Sequence, residues 1–427
     1  MIDLLDPTLR GPLFGSILMS VCASITGVLA LVRKKLLVGE TISHATYPGI
    51  VLGGFASLFV IPFFPSAVPF IVLVFAFFGA LAGVSLMQYL EKSGNLSSDS
   101  AQCFTLSFLL GIGVFLASFL QFESPALYRQ VQGYLYGQVV TLSDLHIYLY
   151  AVLTTVIALI IVLRFREIEL VSFDSVFAET TGVQLKRVEQ GVLLLLALSI
   201  VVGIRSVGVV LIAGMLIAPA VVARQLTNSF SKMFGIAAVV GGGSSALGHI
   251  LSLRFDLPPG PVILLVACMC SLLALFFAPK KGLVARIVRS MTFSLQCMSE
   301  NVLKFIWKEN RAVSLKTIVA KHTVPVWLKI PLLWKMQYEG WIERNEDGEL
   351  ALTVDGANKA QRIVRLHRLW EVYLVQYMAV SEKRVHQSAE RIEHILVPEL
   401  EEELLQLVGS ATHDPHKKPI PEGRGAI

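Results

Sequence analysis

The chain has 427 residues, a formal net charge of +5 and 54% hydrophobic residues. Its mean hydropathy of +0.67 is too high for a single soluble globular protein. Residues 1–279 contain 14 Lys/Arg and 13 Asp/Glu, whereas residues 280–427 contain 22 Lys/Arg and 18 Asp/Glu. This uneven charge excludes one uniform soluble enzyme and predicts a membrane domain followed by a soluble one, with the boundary near Pro279.

Nine apolar runs before that boundary are long enough to cross a bilayer as helices. They cover residues 11–32, 45–64, 70–90, 103–120, 146–163, 188–204, 207–223, 233–251 and 260–278. Counts from hydropathy err by one or two, so we expect eight to ten transmembrane helices. The predicted fold class is an all-α polytopic membrane domain followed by a soluble winged-helix domain and a helical metal-binding and dimerisation domain.

The basic residues of the loops predict an orientation, because Lys and Arg accumulate on the cytoplasmic side. One set of alternating loops carries Arg33, Lys34, Lys35, Lys92, Arg164, Arg166, Lys186, Arg187, Arg224, Lys232, Lys280 and Lys281. The other set carries only Arg10, Arg129, Arg205 and Arg254. Because the first set contains twelve basic residues and the second only four, the first set and the C-terminal part are predicted to be cytoplasmic. With nine spans, the N-terminus then lies outside.

Two ionisable residues lie directly before the second apolar run. Glu40 and His44 are four residues apart in the segment VGETISHATYPG and share a helix face. A carboxylate and an imidazole suit a divalent transition metal, and ionisable groups at membrane depth are costly unless they serve a function. Pro48 and Gly49 follow, and we expect a helix broken beside the ligands. The alternative is that both side chains face water at the headgroup level.

The polar loop after the fifth span predicts a short cytoplasmic helix. Residues 175–181 have helical character, with Asp174 as the N-cap and Gly182 just past the end. Such a helix lying on the inner membrane face would be a docking site for a motor protein. An ordinary solvated loop is the alternative.

Four segments together resemble the permease subunits of manganese, zinc and iron ABC transporters, the ABC-3 family. They are GETISHATYPGIVLG at 39–53, YLYGQVV at 134–140, FDSVFAETTGV at 173–183 and VGVVLIAGMLIAPAVVAR at 207–224. The resemblance implies a multi-pass protein of the bacterial cytoplasmic membrane in which Glu40 and His44 lie on the metal path. Glu40 stands where the family usually has aspartate, which leaves the metal preference open.

The same resemblance implies a set of partners. The segment containing Asp174, Phe177, Ala178 and Gly182 would dock on an ATPase. No G-x-x-x-x-G-K-[ST] phosphate loop occurs in the sequence, so the chain is expected to be a transport subunit without ATPase activity. An extracytoplasmic metal-binding protein would deliver the metal, and the permease would pair with a second copy or with a homologous permease.

The soluble third divides into smaller predicted parts. They are a basic connector at 280–297, a winged helix-turn-helix domain at 298–356 and a metal-binding and dimerisation domain at 357–427. ENVLKFIWKE, SLKTIVAKH and WLKIPLLWKMQYEG read as three helices, and WIERNEDGELALT reads as a hairpin with a turn at 345–348. Three helices and a hairpin are typical of a winged helix.

After residue 366, histidine and glutamate recur four residues apart, a spacing that places both side chains on one face of a helix. The candidate ligands are His367, Glu371, His386, Glu390, Glu393 and His394. Because thiolates are absent from this set, Mn²⁺ or Fe²⁺ is favoured over a structural zinc ion. Ordinary surface pairs that stabilise two helices are the alternative.

RLHRLWEVYL, VHQSAERIEHIL and DPHKKPIP resemble the iron- and manganese-dependent repressors of the diphtheria toxin repressor family. The resemblance implies one metal site from His367, Glu371 and His386. It implies a second site to which Glu390, Glu393 and His394 contribute. Positions where the family has ligands in its first helix are Asn301 and Lys304 here, so the second site is expected to differ.

The presumed recognition helix also departs from the family, which is more polar there. It contains Trp327, Pro331 and Trp334, and Pro331 is expected to kink the helix or shift its start. Lys329 and Lys335 are the residues expected to reach the phosphates of operator DNA.

These observations favour an importer permease for Mn, Fe or Zn with a fused metal-dependent repressor. We also expect release of the soluble part by cleavage within 280–297, because a membrane-tethered repressor searches little DNA. One alternative is a cytoplasmic metal sensor that gates transport without binding DNA. Another is a permease for vitamin B12 or siderophores, which Glu40 and His44 argue against because a chelated metal needs no protein ligands.

Overall fold

The structure is a computed structural model that describes residues 7–64, 67–94, 96–322, 328–378, 381, 385, 403–404, 406–408 and 411–421. The chain forms two compact units, Met1–Ala285 and Arg286–Ile427. The first unit is a bundle of α-helices and the second combines helices with a small hairpin. The predicted fold class is therefore confirmed.

Twelve α-helices make up the described part of the first unit. They are α1 Pro7–Val32, α2 Leu36–Val60, α3 Val68–Ser93, α4 Ser98–Glu123, α5 Pro125–Tyr136, α6 Asp144–Leu163, α7 Phe165–Phe173, α8 Ser175–Thr180, α9 Leu185–Val207, α10 Val209–Leu226, α11 Phe230–Phe255 and α12 Pro259–Phe277. Eight of them are long and apolar enough to cross a membrane. Helix α2 is less apolar, but its 25 residues span about 37 Å at 1.5 Å per residue.

Contacts at the helix ends fit an arrangement in which all nine long helices cross in alternating directions. Arg10 at the start of α1 pairs with Asp144 at the start of α6 (2.8 Å). Lys35, between α1 and α2, pairs with Glu189 near the start of α9 (2.6 Å). Each pair joins groups that the Lys/Arg pattern assigns to the same side of the membrane. The alternation holds only if α2 is counted as a crossing helix.

Helix α2 packs against α3 and α4 at backbone distance, which glycine makes possible. A Cβ added to Gly49 would lie 2.3 Å from the Phe75 carbonyl oxygen of α3. A Cβ added to Gly113 of α4 would lie 2.6 Å from the Tyr47 ring. Contrary to expectation, α2 continues through Pro48 without a break. Neighbouring helices can stabilise a proline-containing helix in this way.

Helices α9 and α10 are separated by a single residue that has a positive φ angle. Gly208 has φ +91° and ends α9, and α10 begins at the next residue. Its Cβ position would lie 2.5 Å from the Gly137 amide nitrogen and the Leu135 carbonyl oxygen. Gly137 also has a positive φ, of +78°. Only glycine satisfies both the dihedral and the close approach.

The second unit has the order that the sequence predicts for a winged helix. Its elements are α13 Leu283–Glu309, which starts three residues before the unit boundary, then α14 Leu315–His322, α15 Lys329–Tyr338, β1 Ile342–Arg344, β2 Leu350–Leu352 and α16 Val354–Gln376. The two strands are antiparallel, with Ile342 opposite Leu352, and Val313 adds an isolated bridge to Leu350. Helix α13 is continuous across most of the predicted connector.

A compact apolar core holds α13, α14, α15 and the hairpin together. It includes Leu303, Ile306, Met336, Trp341 and Leu350. Lys359 of α16 lies 3.8 Å from the centre of the Trp341 ring, and burial lowers the pKa of its ammonium group. All five tryptophans of the chain follow residue 306.

Candidate metal sites and docking surfaces

Glu40 and His44 occupy an unusual position on α2. Every residue from Val38 to Val51 is buried except these two, which are partly exposed. Because they are four residues apart, they share one face and form a narrow, partly exposed strip within this buried stretch of α2. The strip therefore brings a partly exposed carboxylate and a partly exposed imidazole together on one face of α2.

The hydroxyl groups near this strip are already satisfied by the backbone. Ser43 Oγ donates to the Glu40 carbonyl (2.8 Å), and Thr46 Oγ1 donates to the Ser43 carbonyl (2.5 Å). By contrast, His44 Nδ1 is buried and finds no hydrogen-bond partner within the described ranges. A buried polar atom left in this way is costly, so it marks a group with a function or with a missing partner.

The pair does not make a complete metal site by itself. Among the described residues, no group of three or more His, Cys, Asp and Glu side chains gathers where a metal ion could be held. Zinc usually takes four ligands, and Mn²⁺ favours six oxygen-rich ligands. A metal ion bound by these two side chains would therefore need further ligands.

The predicted short helix α8 and its cap are confirmed. The Phe177 amide donates to Asp174 Oδ1 (2.9 Å), which satisfies one of the free N–H groups of the first turn. Gly182 has φ +83° just beyond the helix, and its amide donates to the Glu179 carbonyl (3.0 Å). Ala178 is fully buried, whereas Phe177 is 53% exposed. The helix is thus anchored on one face and presents an aromatic side chain on the other.

A groove with a cavity volume of about 510 Å³ lies beside α8. Its lining combines polar side chains, among them Arg164, Gln184 and Arg187, with apolar ones such as Leu194 of α9. Helices α6, α7 and α9 meet here at the end of the bundle that carries Lys35 and Glu189. The short helix and the groove form one recessed surface.

His367 and Glu371 lie on α16, which Thr353 caps by accepting a hydrogen bond from the Gly356 amide (3.1 Å). His367 Nε2 is 3.1 Å from Glu371 Oε1, and both side chains are buried. A buried imidazole and carboxylate in contact argue against a solvated surface pair. The other predicted ligands, His386, Glu390, Glu393 and His394, lie outside the described residues.

An ion pair that sequence reasoning missed holds the C-terminal motif against α16. Arg368 Nε lies 3.7 Å from Asp414 Oδ2, and its guanidinium also donates to the Pro419 carbonyl. Asp414 in turn accepts a hydrogen bond from the Lys418 amide (2.7 Å). Arg368 directly follows His367, so the motif DPHKKPIP is fixed next to the candidate metal ligands. The one sequence feature that could have indicated this ion pair is the arginine that directly follows the histidine in RLHRLWE.

Helix α15 does not present the polar face of a typical recognition helix. Ile330, Trp334 and Tyr338 are 79%, 67% and 78% exposed, and the two rings stack at 5.4 Å. Lys329 and Lys335 are only partly exposed. Pro331 is the third helical residue, where the missing N–H costs no intrahelical bond, so the helix forms without interruption.

A bundle of long apolar helices that carries a partly exposed carboxylate and imidazole within a buried stretch of α2 defines a multi-pass membrane permease. The chain belongs to the ABC 3 transport family, which matches residues 6–278. Residues 353–422 match the metal binding and dimerisation domain of the iron dependent repressors. The fusion predicted from the two resemblances is confirmed.

Relatives share this organisation to different extents. The chain is 35% identical over 432 residues to a probable metal transport system membrane protein of Chlamydia pneumoniae, covering 96% of each. It is 30% identical over 385 residues to the manganese transport system membrane protein MntC of Bacillus subtilis, covering 89% of this chain and 87% of that one. The PsaBC structure from Streptococcus pneumoniae aligns with a TM-score of 0.56 and 26% identity, over 64% of this chain and 93% of that one.

Proposed function

We propose that this chain is the membrane-spanning subunit of an ATP-driven importer of divalent metal, with a fused metal-responsive regulator. The observation that carries the transport proposal is the strip of Glu40 and His44, which are the two partly exposed residues in the otherwise buried stretch Val38–Val51 of α2. A bare divalent cation needs such ligands, whereas an already chelated metal does not. The names of the two relatives, a metal and a manganese transport protein, support the same cargo class.

A second permease subunit would complete the transport site. One chain offers one carboxylate and one imidazole, and a symmetric or pseudo-symmetric pair would offer two of each. Four ligands suit a divalent transition metal and leave positions for water. The metal is therefore expected to pass between two permease subunits rather than through one.

The energy and the cargo would come from other proteins. The exposed Phe177 on α8 and the adjacent groove give a recessed surface for an ATPase subunit, with Asp174 and Gly182 fixing the geometry of the helix. Ala178 anchors the helix from below. An extracytoplasmic metal-binding protein would deliver the ion to the other end of the bundle.

Uptake by variants of the complete transporter tests this proposal. Glu40→Gln and His44→Ala, expressed with the ATPase and the binding protein, should each lose most Mn²⁺, Fe²⁺ or Zn²⁺ uptake at wild-type protein levels. Glu123→Gln is the matched control, because Glu123 is an exposed carboxylate at the end of α4. Normal uptake by the Glu40→Gln/His44→Ala double variant would rule out the assigned path.

The fused regulator is proposed to bind Mn²⁺ or Fe²⁺ through His367, Glu371 and His386, with Glu390, Glu393 and His394 contributing to a second site. Metal binding would favour a dimer that binds operator DNA through Lys329 and Lys335 and represses the uptake genes. Release of this part by cleavage within 280–297 remains a prediction. An immunoblot of the native host with only the full-length chain would contradict release.

A second candidate function is that the C-terminal part senses metal and gates transport without binding DNA. The exposed face of α15 favours it, because Ile330, Trp334 and Tyr338 are not among the side chains that usually read base edges in the major groove. A gel shift of the detergent-solubilised chain with its own promoter region, with and without Mn²⁺, separates the two. A metal-dependent shift lost in Lys329→Ala/Lys335→Ala supports the repressor, and no shift supports gating.

A further inference from the structure

The first three turns of α13 carry an apolar stripe that no part of the described structure covers. Leu283, Val284, Ile287, Val288 and Met291 are between 41% and 52% exposed. Their spacing of one, three and four residues places them on one arc of the helix. From Leu283 to Phe293, every residue except Ala285 is exposed, and none of them belongs to a hydrophobic core of the described residues.

The opposite arc is basic and also carries the exposed ring of Phe293. Arg286 and Arg289 lie there with Thr292, and Lys280 and Lys281 come directly before the helix. An apolar face combined with a basic polar face is the pattern of a helix that lies in a membrane interface. Anionic headgroups of the cytoplasmic leaflet attract such basic residues.

The start of α13 is held at the end of the transmembrane bundle. Lys281 Nζ donates to the carbonyl oxygens of Arg224 (2.5 Å) and Thr227 (3.0 Å), where α10 ends. Gly282 is buried, and a Cβ there would lie 2.6 Å from the Ala278 carbonyl oxygen. Helix α12 ends at Phe277 and α13 begins at Leu283, so five residues connect them. The apolar stripe therefore begins at the level where the last span leaves the bilayer.

We propose that residues 283–293 form an interfacial helix that binds the anionic phospholipid surface of the inner leaflet through Leu283, Val284, Ile287, Val288 and Met291. A bilayer is the occupant that the covalent connection to α12 and the surrounding positive charge both favour. The C-terminal half of the same helix contributes Leu303 and Ile306 to the core of the second unit. The lipid surface thus holds the regulator through one of its own core helices.

Site-directed spin labelling of the full chain in nanodiscs tests this assignment. Ile287→Cys and Met291→Cys report the stripe, and Arg286→Cys and Thr292→Cys report the opposite arc, in a background with the five native cysteines changed to alanine. In discs of phosphatidylcholine and phosphatidylglycerol, labels on the stripe should be several-fold less accessible to a water-soluble nickel chelate and more accessible to oxygen. Discs of phosphatidylcholine alone should reduce this difference.

Three results would overturn the proposal. They are equal nickel accessibility at all four positions, protection that does not depend on phosphatidylglycerol, and strong spin–spin broadening at Ile287 between two copies, which would identify a second chain as the occupant. Ile287→Glu should abolish protection at Met291→Cys, whereas Thr292→Glu should preserve it. If the cysteine-free background fails to fold, a photoreactive residue at position 287 in the native background must crosslink to lipid.

Discussion

Lys35 Nζ lies 2.6 Å from Glu189 Oε1, and this pair ties the turn between α1 and α2 to the start of α9. The side chains are 29% and 37% exposed, so water screens the attraction only in part. The turn precedes the Glu40 strip by five residues. The pair therefore fixes one end of the helix that carries the proposed transport ligands.

We expect Lys35→Glu to lower the thermal unfolding temperature and the Lys35→Glu/Glu189→Lys double variant to restore part of it. The coupling free energy from the four-variant cycle should be about 0.5 kcal/mol. The Arg10–Asp144 pair, with side chains 48% and 53% exposed, is the matched control and should couple less strongly. A larger coupling for Arg10–Asp144 would contradict this ranking.

Gly113→Ala should disturb α2, because its Cβ would lie 2.6 Å from the Tyr47 ring and 2.9 Å from the Pro48 nitrogen. Overpacking of this kind costs about 1–3 kcal/mol. Gly111→Ala is the control on the same helix, since no atom lies within 4 Å of its Cβ position. Thermal unfolding and metal uptake should both suffer in the first variant and remain normal in the second. Equal behaviour of the two would show that the packing is not as close as described.

Asp174→Ala should weaken coupling to the ATPase by removing the cap of α8. Loss of such a cap costs about 1 kcal/mol of helix stability. Asp174→Ser keeps an oxygen that can accept the Phe177 amide hydrogen bond and should retain most activity. The measurement is co-purification of the ATPase with the permease and ATP hydrolysis by the complex. If the alanine and serine variants behave alike, capping is not the role of Asp174.

Mn²⁺ should raise the unfolding temperature of the second unit, because a ligand that binds only the folded state stabilises it. His367→Ala should abolish this increase, since His367 lies buried against Glu371. His413→Ala is the control, because His413 is exposed in the described C-terminal segment. Addition of EDTA should return the wild-type protein to the metal-free value. An undiminished increase in His367→Ala would exclude this residue as a ligand.

Sequence periodicity predicted most of the bundle because crossing helices need long apolar runs. It placed the start of α2 too late, at residue 45, since Glu40 and His44 lower the local hydropathy although the helix begins at Leu36. It also missed α5, a 12-residue helix too short and polar to resemble a span. The break between the spans was predicted at residues 205–206, but it lies at Gly208, inside the second predicted span. Its position depends on a close contact with Gly137, a residue distant in sequence.

The candidate sites were predictable to the extent that their groups lie one helical turn apart. The i,i+4 spacing alone was enough to predict that Glu40 lies beside His44 and that His367 lies beside Glu371. The burial of the stretch Val38–Val51 in α2 and the ion pair between Arg368 and Asp414 depend on long-range packing. No local pattern encodes which neighbour covers which face.

The placement of the indole rings gives the intact protein an optical property. All five tryptophans follow residue 306. Tryptophan fluorescence, excited at the long-wavelength edge of the indole absorption, therefore reports on the C-terminal unit alone, even when the whole chain is in a lipid disc. Trp341, stacked under Lys359 in the core, is shielded from aqueous quenchers, whereas Trp334 is open to them. Tryptophan fluorescence can thus be used to follow metal binding to the regulator during transport, because the membrane domain contains no tryptophan and does not emit at that excitation wavelength.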